Sequence, residues 1–392
     1  MCRVPGMPEW GHRVPGAVAG AATVALLADL AETWWVGAGW PAGVILAFAP
    51  VFVRYSQEVR PYAFGLLFLV AALWSLERFA STRIVVFAAA WFASVLLACY
   101  SLYFAGLVAV IASTARIYEG RHGTLGGLWR RLPLVAAALA AGYAPWLGVL
   151  SRLARSAPVV AREPLTSAWV KYRLQTLATG DWRAEPVSLG SWLFWIVVAA
   201  GILRAARRRR MIAAVAWFCG GTIAELVVLR FHPHFPAIRH LLPACLGAYL
   251  LFGAALAGRR PGVVAAAVAT IVLFDARTLA AFYAMPHVEW NRVAHYVSRD
   301  RARGEVLLAA NDWTARNLGF YLGGKPVSVV PPGPAELRGP GWLVVSECPG
   351  ADPASLVKQG LSLRRRFEET NHCSVYHFSG KVRLPAGICR TD

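Results

Sequence analysis

Ten apolar stretches follow one another through the first 284 residues. A membrane-spanning helix needs about 20 predominantly apolar residues. Eight stretches are clear, and they cover residues 62–79, 84–100, 103–117, 132–150, 188–203, 211–229, 241–257 and 262–283. Two weaker stretches, 15–30 and 41–53, precede them. Charged residues make up only 16% of the chain, below the quarter usual in soluble domains. The sequence therefore predicts an all-α polytopic membrane domain over residues 1–284, with about 8 to 10 transmembrane helices.

Basic connectors set the expected orientation, because Lys and Arg accumulate on the cytoplasmic side of a membrane. Alternation of the spans places four basic connectors inside, at residues 78–83, 116–131, 204–210 and 259–260. The same alternation places outside residues 54–61, 100–103, 151–187, 230–240 and everything after about 284. We therefore predict a multi-pass protein of the cell membrane whose C-terminal domain is extracytoplasmic.

A mixed, charged and turn-rich composition begins at about residue 285 and predicts a second domain, a small α/β domain over residues 285–392. Residues 291–299 have helical spacing. The apolar runs and alternating segment that predict strands are 305–310, 342–346 and 374–378. The proline-containing segment 331–340 is predicted to be a loop.

The three cysteines of this second domain are candidates for a disulfide if the domain faces an oxidising compartment. A bridge between Cys348 and Cys373 would close a loop of about 25 residues. Cys389 is an equal alternative partner, so the pairing stays open.

The predicted outer loops are basic, which is the reverse of the usual bias. Arginines and lysines outnumber the acids there; the basic residues are Arg54, Arg60, Arg152, Arg155, Arg162, Lys171, Arg173, Arg183, Arg230 and Arg239. An anionic ligand at the outer face explains this charge, and contact with lipid phosphates is the alternative. The net charge of +19 does not predict nucleic-acid binding, because most basic residues lie in short connectors rather than on a soluble domain.

One segment, Arg54-Tyr-Ser-Gln-Glu-Val-Arg-Pro-Tyr62, concentrates polar chemistry between two apolar runs. Pro61 is suited to the first turn of a helix, so a helix is expected to begin here with its free N–H groups at the membrane boundary. Such an N-terminus favours an anion, and arginine binds phosphate through two parallel hydrogen bonds. An interfacial belt of Tyr and Arg would account for Tyr62 and one arginine, but not for Gln57 and Glu58.

Residues 56–63, Ser-Gln-Glu-Val-Arg-Pro-Tyr-Ala, resemble the S-Q-E-x-R-x-Y-A segment of bacterial membrane glycosyltransferases of the family 39 type. These are protein mannosyltransferase-like and aminoarabinose transferase-like enzymes that use polyprenyl-phosphate sugars. Further segments are similar to family patterns at residues 13–27, 100–106, 239–243 and 289–296. The chain departs from the family at Leu102, where the family hairpin has His, and at His240, where it has Tyr.

The resemblance implies transfer of a sugar from a polyprenyl-phosphate donor to a lipid, glycan or protein acceptor of the cell envelope, at the outer face of the cytoplasmic membrane. The implied partners are this donor, the acceptor and membrane lipids. No separate cofactor is expected. The residues that would bind the substrate are Arg54, Gln57, Glu58, Arg60, Tyr62, Arg239 and His240.

The resemblance also implies an opening helix and an acidic loop that carries the catalytic base, and this chain is expected to start after them. The catalytic residue is therefore unassigned from the sequence. The acids of the long outer loop that could act as the catalytic base are Glu163, Asp181 and Glu185.

The alternative is a non-catalytic membrane protein: a carrier for a lipid-linked sugar or an inactive, truncated relative. A transporter places ionisable groups within its spans, and the acids in apolar stretches are Asp29, Glu225 and Asp275. No metal site is predicted, since His232 and His234, two residues apart around a proline, lack identifiable further ligands.

Overall fold

The computed structural model describes residues 9–58, 60–156, 176–178, 189–207, 212–231, 240–284, 290–324, 327–330, 335–346, 353–367 and 373–384. The chain divides into two compact units, Met1–Ala281 and Phe282–Asp392. Every regular element described in the first unit is helical.

The helices of the first unit follow the apolar stretches of the sequence. They are α1 (Glu9–Trp34), α2 (Gly39–Phe48), α3 (Pro50–Gln57), α4 (Tyr62–Thr82), α5 (Val85–Ser101), α6 (Tyr103–Glu119), α7 (Gly126–Arg130), α8 (Leu132–Ser156), α9 (Leu189–Arg207), α10 (Ile212–Val215), α11 (Gly221–Phe231), α12 (Leu242–Leu256) and α13 (Pro261–Ala284). A π-helical turn, Ala216–Gly220, joins α10 to α11 without a break.

Within the described ranges, five helices are long and apolar enough to cross a membrane: Gly11–Trp34, Tyr62–Thr82, Leu132–Val149, Gly190–Arg207 and Pro261–Ala284. Four shorter apolar helices accompany them, at Gly39–Phe48, Val85–Ser101, Ile212–Val228 and Leu242–Leu256. These helices confirm the predicted polytopic fold. The chain is a multi-pass membrane protein.

The weaker stretch 41–53, expected as one short, tilted or partly interfacial segment, is divided between two helices, α2 and α3. Ala49 has an extended backbone with ψ of 113°, and Pro50 then begins α3. Proline has no N–H to donate within a helix and its ring clashes with the preceding turn, so α2 ends before it. The consequence is that Arg54 lies in the last turn of a short separate helix.

Two ion pairs tie α1, α4 and α6 together. The Glu77 carboxylate, which is buried, accepts hydrogen bonds from the Arg116 guanidinium and from Trp34 Nε1, the latter at 2.7 Å. Asp29 binds Arg78 at 2.8 Å and Trp74 Nε1 at 2.6 Å. The charge of Asp29 is therefore balanced by Arg78 at a partly exposed position. It is not the isolated intramembrane acid that a transporter would need.

The second unit is an α/β domain, as predicted. Its helices are α14 (Trp290–Asp300), α15 (Asp312–Tyr321) and α16 (Pro353–Lys358), and its strands are β1 (Val306–Ala309), β2 (Ser328–Val329), β3 (Ala335–Leu337), β4 (Gly341–Val345), β5 (Ser362–Phe367), β6 (Cys373–Phe378) and β7 (Val382–Leu384). Five strands form a mixed sheet in the order β2-β1-β4-β6-β5, and β3 pairs with β7. One core lies between α14, α15 and the sheet; it includes Trp290, Val297, Leu318, Val344 and Val375.

Two expectations for this domain need correction. Within the predicted loop 331–340, Ala335–Leu337 forms β3, because its antiparallel partner β7 buries Leu337 and Leu384 together. The expected disulfide of Cys373 is not formed, since Cys373 is a free, buried thiol. Cys348 and Cys389 lie outside the described residues.

Candidate functional site

The predicted polar segment folds as the last turn of α3 and the turn that leads into α4. Arg54 Nε lies 3.5 Å from one oxygen of Glu58, and Arg60 Nε lies 3.9 Å from the other. Arg60 Nη1 also donates a hydrogen bond to the Tyr62 hydroxyl at 3.3 Å. The Glu58 carboxylate thus stands between two guanidinium groups. We call Arg54, Glu58, Arg60 and Tyr62 the arginine cluster.

Two tyrosine rings pack beside the arginine cluster. The rings of Tyr55 and Tyr62, both buried, meet edge to face with centroids 5.2 Å apart. The Arg54 guanidinium lies 5.8 Å from the Tyr55 ring, within the range of a cation–π contact. Each arginine of the cluster therefore contacts one of these two tyrosines.

The arginine cluster remains accessible and cationic. The Arg60 side chain is 50% exposed and that of Arg54 is 35% exposed. Partial burial lowers the pKa of Arg60, but the hydrogen bond with Tyr62 and the charge of Glu58 outweigh it, so that the pKa is raised. With two arginines around one carboxylate, the cluster has a surplus positive charge that can receive an anion.

Close packing between α1 and α3 positions this cluster. A Cβ atom on Gly16 would lie 2.7 Å from the Ser56 carbonyl oxygen, and one on Gly20 would lie 2.5 Å from Ser56 Oγ. Only glycine allows the two helices to approach so closely. The predicted motif 13–27 and the motif 56–63 are therefore in direct contact through these glycines.

A second contact joins α4 to the turn between α5 and α6. A Cβ atom on Gly65, one turn after Tyr62, would lie 2.7 Å from Cβ of Leu102. The Leu102 side chain is buried and makes an apolar contact at this point. The hairpin 100–106 is thereby held beside the first turn of α4.

His240 joins the same region from the start of α12. Its ring is buried and lies 4.9 Å from the Phe104 ring and 6.2 Å from the Tyr103 ring, measured between centroids. Among the described residues, contacts thus run from the first turn of α4 to the α5–α6 hairpin, and from that hairpin to the residues just before α12. Tyr103 and Phe104 were not among the predicted site residues. The similarity of residues 100–106 to a family pattern was the sequence feature that could have identified them.

The remaining candidates divide into two groups. Gln57 is the last residue of α3 and is half-buried. Outside the described residues lie Arg239, Glu163, Asp181, Glu185, His232 and His234. Within the described ranges, no three His, Cys, Asp or Glu side chains gather as a metal site would require.

Comparison with solved structures shows the fold. The crystal structure of ArnT from Cupriavidus metallidurans in the apo state matches with a TM-score of 0.62 and 14% sequence identity, over 95% of this chain and 84% of that chain. The ArnT structure bound to undecaprenyl phosphate matches with a TM-score of 0.59 and 15% identity, over 95% of this chain and 85% of that chain. No protein-family model and no curated protein matches the sequence.

Proposed function

We propose that this protein transfers a sugar from a polyprenyl-phosphate donor to an acceptor of the cell envelope, at the outer face of the cytoplasmic membrane. The observation that carries the proposal is the arginine cluster at the start of α4, in a fold shared with ArnT. ArnT has been crystallised with undecaprenyl phosphate. The negative charge of a lipid phosphate of this kind is complementary to the two arginines of the cluster.

In the proposed reaction an acceptor hydroxyl attacks the anomeric carbon of the donor sugar. The bond between that carbon and the phosphate oxygen breaks, and the lipid phosphate leaves with the bonding electrons. Negative charge on the phosphate is stabilised by nearby cations, a role that suits Arg60, Arg54 and Arg239. The hydroxyl proton passes to a carboxylate acting as general base, which none of the described residues is assigned to supply.

The other predicted residues would orient the substrate. Tyr62, hydrogen-bonded to Arg60, limits the directions in which the guanidinium can point. Glu58 pairs with both arginines. Gln57, the last residue of α3, would contribute its amide. His240 lies at the start of α12, one residue after Arg239, and would help to place that arginine.

The proposed donor sugar is of the hexose type, with mannose as the first candidate. The assay is to incubate purified protein in liposomes with radiolabelled polyprenyl-phosphate mannose, glucose or arabinose, together with bacterial envelope lipids. Label that passes from the donor to a lipid or polymer, and that requires Arg60, supports the proposal. No transfer from any of the three donors would contradict it.

A carrier for lipid-linked sugars is the second candidate, and the buried acids favour it. Glu225 and Asp275 are 0% and 1% exposed, and both lie in apolar helices. Ionisable groups of this kind often mark transport pathways. Movement of a labelled lipid-linked sugar between leaflets, without transfer to an acceptor, would select the carrier over the enzyme.

A further inference from the structure

Arg83, the residue that ends α4, has a left-handed backbone with φ of 63°, and no other non-glycine residue of the described ranges has a positive φ. Glycine is the usual residue in this conformation at a helix end, because a side chain there is strained. The Arg83 Nη1 atom donates a hydrogen bond to the carbonyl oxygen of Thr124. The strained arginine therefore connects the α4–α5 turn to the turn between α6 and α7.

The α6–α7 turn is compact, so its side chains have defined positions. The N–H groups of Gly123 and Leu125 both donate to the Gly120 carbonyl oxygen, at 3.0 and 3.1 Å. The N–H of Gly126 donates to the Gly123 carbonyl oxygen at 3.2 Å. The Leu125 side chain is fully buried and fastens the turn to the helices.

An arginine and two aromatic rings lie together at this turn. The guanidinium carbon of Arg121 is 3.7 Å from the centroid of the Tyr118 ring, and Arg121 Nη1 donates to the Tyr118 carbonyl oxygen at 2.9 Å. The ring of Trp129, in α7, meets the Tyr118 ring edge to face at 5.5 Å between centroids. Both rings are exposed. Because a guanidinium has five N–H donors, Arg121 retains donors for a ligand. We call Arg83, Tyr118, Arg121 and Trp129 the connector patch.

The connector patch carries positive charge that no described acid balances. Residues 120–131 contain three arginines and no Asp or Glu. Neither these arginines nor Arg83 forms an ion pair with an acid in the part of the chain that the structure describes. The preceding acid, Glu119, accepts a hydrogen bond from the Ala213 N–H at 3.0 Å. The patch is therefore complementary to an anion.

Exposed apolar side chains next to the patch indicate what kind of anion it binds. Val85, two residues after Arg83, is 75% exposed, and Leu134, in the first turn of α8, is 71% exposed. The span Leu132–Val149 of α8 contains no buried residue. In a protein that crosses the membrane, such surfaces contact acyl chains. A ligand with an anionic head and acyl chains matches both surfaces, whereas a soluble anion matches only the arginines.

The connector patch is separate from the arginine cluster. Tyr62, in the arginine cluster, begins α4, and Arg83 follows the last residue of the same helix. A helix of 21 residues is about 30 Å long, which is about the thickness of the hydrocarbon core of a bilayer. The two groups of arginines therefore lie at opposite ends of one membrane-spanning helix.

We propose that the connector patch binds the phosphate of an anionic phospholipid, with Arg83 and Arg121 as the phosphate contacts and with Tyr118 and Trp129 at the level of the headgroup. Basic pockets beside transmembrane helices recognise such headgroups, and Tyr and Trp favour this depth of the membrane. A connector that only sets orientation needs charge alone. It needs neither a guanidinium stacked on a ring nor an arginine in a strained backbone. The site is independent of the proposed sugar transfer.

Native mass spectrometry of the purified full chain tests the proposal, with phosphatidylglycerol as the anionic probe and phosphatidylcholine as its zwitterionic counterpart. We expect phosphatidylglycerol to bind more tightly, and Arg121→Ala to raise its apparent Kd about tenfold. Arg121→Lys should recover only part of the affinity, because an ammonium lacks the planar fork. Arg259→Ala, which removes an exposed arginine from another basic connector, should change the Kd less than about twofold. Equal losses in Arg121→Ala and Arg259→Ala, or equal binding of the two lipids, would overturn the proposal.

A second variant, Arg83→Gly, separates lipid binding from folding. Glycine adopts the left-handed backbone without strain, which offsets the lost hydrogen bond to Thr124. The lipid-free variant should therefore unfold near the wild-type Tm, while its apparent Kd for phosphatidylglycerol rises roughly fivefold. A lower Tm together with an unchanged Kd would show that Arg83 only ties the two turns together, and would overturn its role as a phosphate contact.

Discussion

Gly20 and Ser56 lie so close that a single added methyl group would overlap: a Cβ atom on Gly20 would stand 2.5 Å from Ser56 Oγ and 2.7 Å from Ser56 Cβ. The Ser56 hydroxyl is itself fixed, because it donates a hydrogen bond to the Phe52 carbonyl at 2.8 Å. A methyl group on Gly20 would therefore have to push α1 and α3 apart. The position of α3, and with it the position of Arg54, therefore depends on this glycine.

Gly20→Ala should consequently destabilise the protein and disturb the arginine cluster. Overpacking of this kind costs about 1 to 3 kcal/mol, and the displacement of α3 should also weaken binding of a polyprenyl phosphate. The matched control is Gly148→Ala in α8, where nothing lies within 4 Å of the added atom. Thermal unfolding and phosphate-lipid binding should change in the first variant and stay near wild type in the second.

Arg60→Ala should reduce sugar transfer at least tenfold. A charge-assisted hydrogen bond to phosphate contributes roughly 1.5 to 3 kcal/mol, which corresponds to that factor or more. Arg60→Lys should restore only part of the activity, because an ammonium group lacks the two parallel donors. Initial rates with the labelled donor measure the effect.

The control for Arg60 is Arg259→Ala, which removes an exposed arginine from the connector before α13. It should leave the transfer rate unchanged. If Arg60→Ala inserts normally and transfers sugar at the wild-type rate, the arginine cluster does not bind the phosphate.

The start of α4 was predictable because the signals are local. Pro61 precedes the first helical residue, Tyr62, as expected of proline at a helix entry. Arg54 and Glu58 are four residues apart, so their ion pair follows from helical spacing. Local chemistry therefore predicted the helix start, and helical spacing accounts for the ion pair that the structure shows.

Contacts between distant segments were not predictable in the same way. His240 meets Phe104 through the packing of α12 beside α6, and no spacing in the sequence encodes that approach. Leu337 similarly becomes part of a strand only because Val382 pairs with it. A proline-rich segment has weak local preference for a strand, so tertiary pairing decided the outcome.

In the second unit, Glu305 should make folding of β1 and β4 sensitive to acid. The hydrogen bond from His377, at 3.0 Å, and that from Trp342 Nε1, at 2.7 Å, lower the pKa of Glu305. A carboxyl group whose pKa is lower in the folded state stabilises it above the unfolded pKa of about 4.3. That contribution is lost as the pH falls through the lower, folded pKa.

Hydrogen exchange of the β1 and β4 peptides, corrected for intrinsic exchange rates, tests this dependence. Glu305→Gln should exchange faster than the wild type at pH 6 to 7, and the difference should shrink as the pH falls below about 4.3 and vanish below the lowered pKa of the folded state. The control is Glu336→Gln, which removes an acid paired with Lys381 and Arg338 at the surface. A constant difference between wild type and Glu305→Gln across this range would contradict the prediction.

Cys373 should resist thiol reagents in the folded protein. Burial raises the pKa of this thiol to about 12, so little thiolate is present at pH 8, and the thiolate is the reactive form. Maleimide should label Cys373 only after denaturation, without any reductant. Failure to label in denaturant until a reductant is added would show a disulfide in place of the free thiol.

The orientation of the membrane domain is the prediction on which the outer-face site depends. The four basic connectors at residues 78–83, 116–131, 204–210 and 259–260 all fall on one side by alternation, and Lys and Arg favour the cytoplasm. A phosphatase that is active only outside the cytoplasm should therefore be active when fused after Tyr283 and silent when fused after Arg210. The opposite pattern would place the arginine cluster at the cytoplasmic face, because the same alternation assigns Arg54 and Arg60 to the side reached by the Tyr283 fusion. An outer-face donor would then be excluded, whatever the effect of Arg60→Ala.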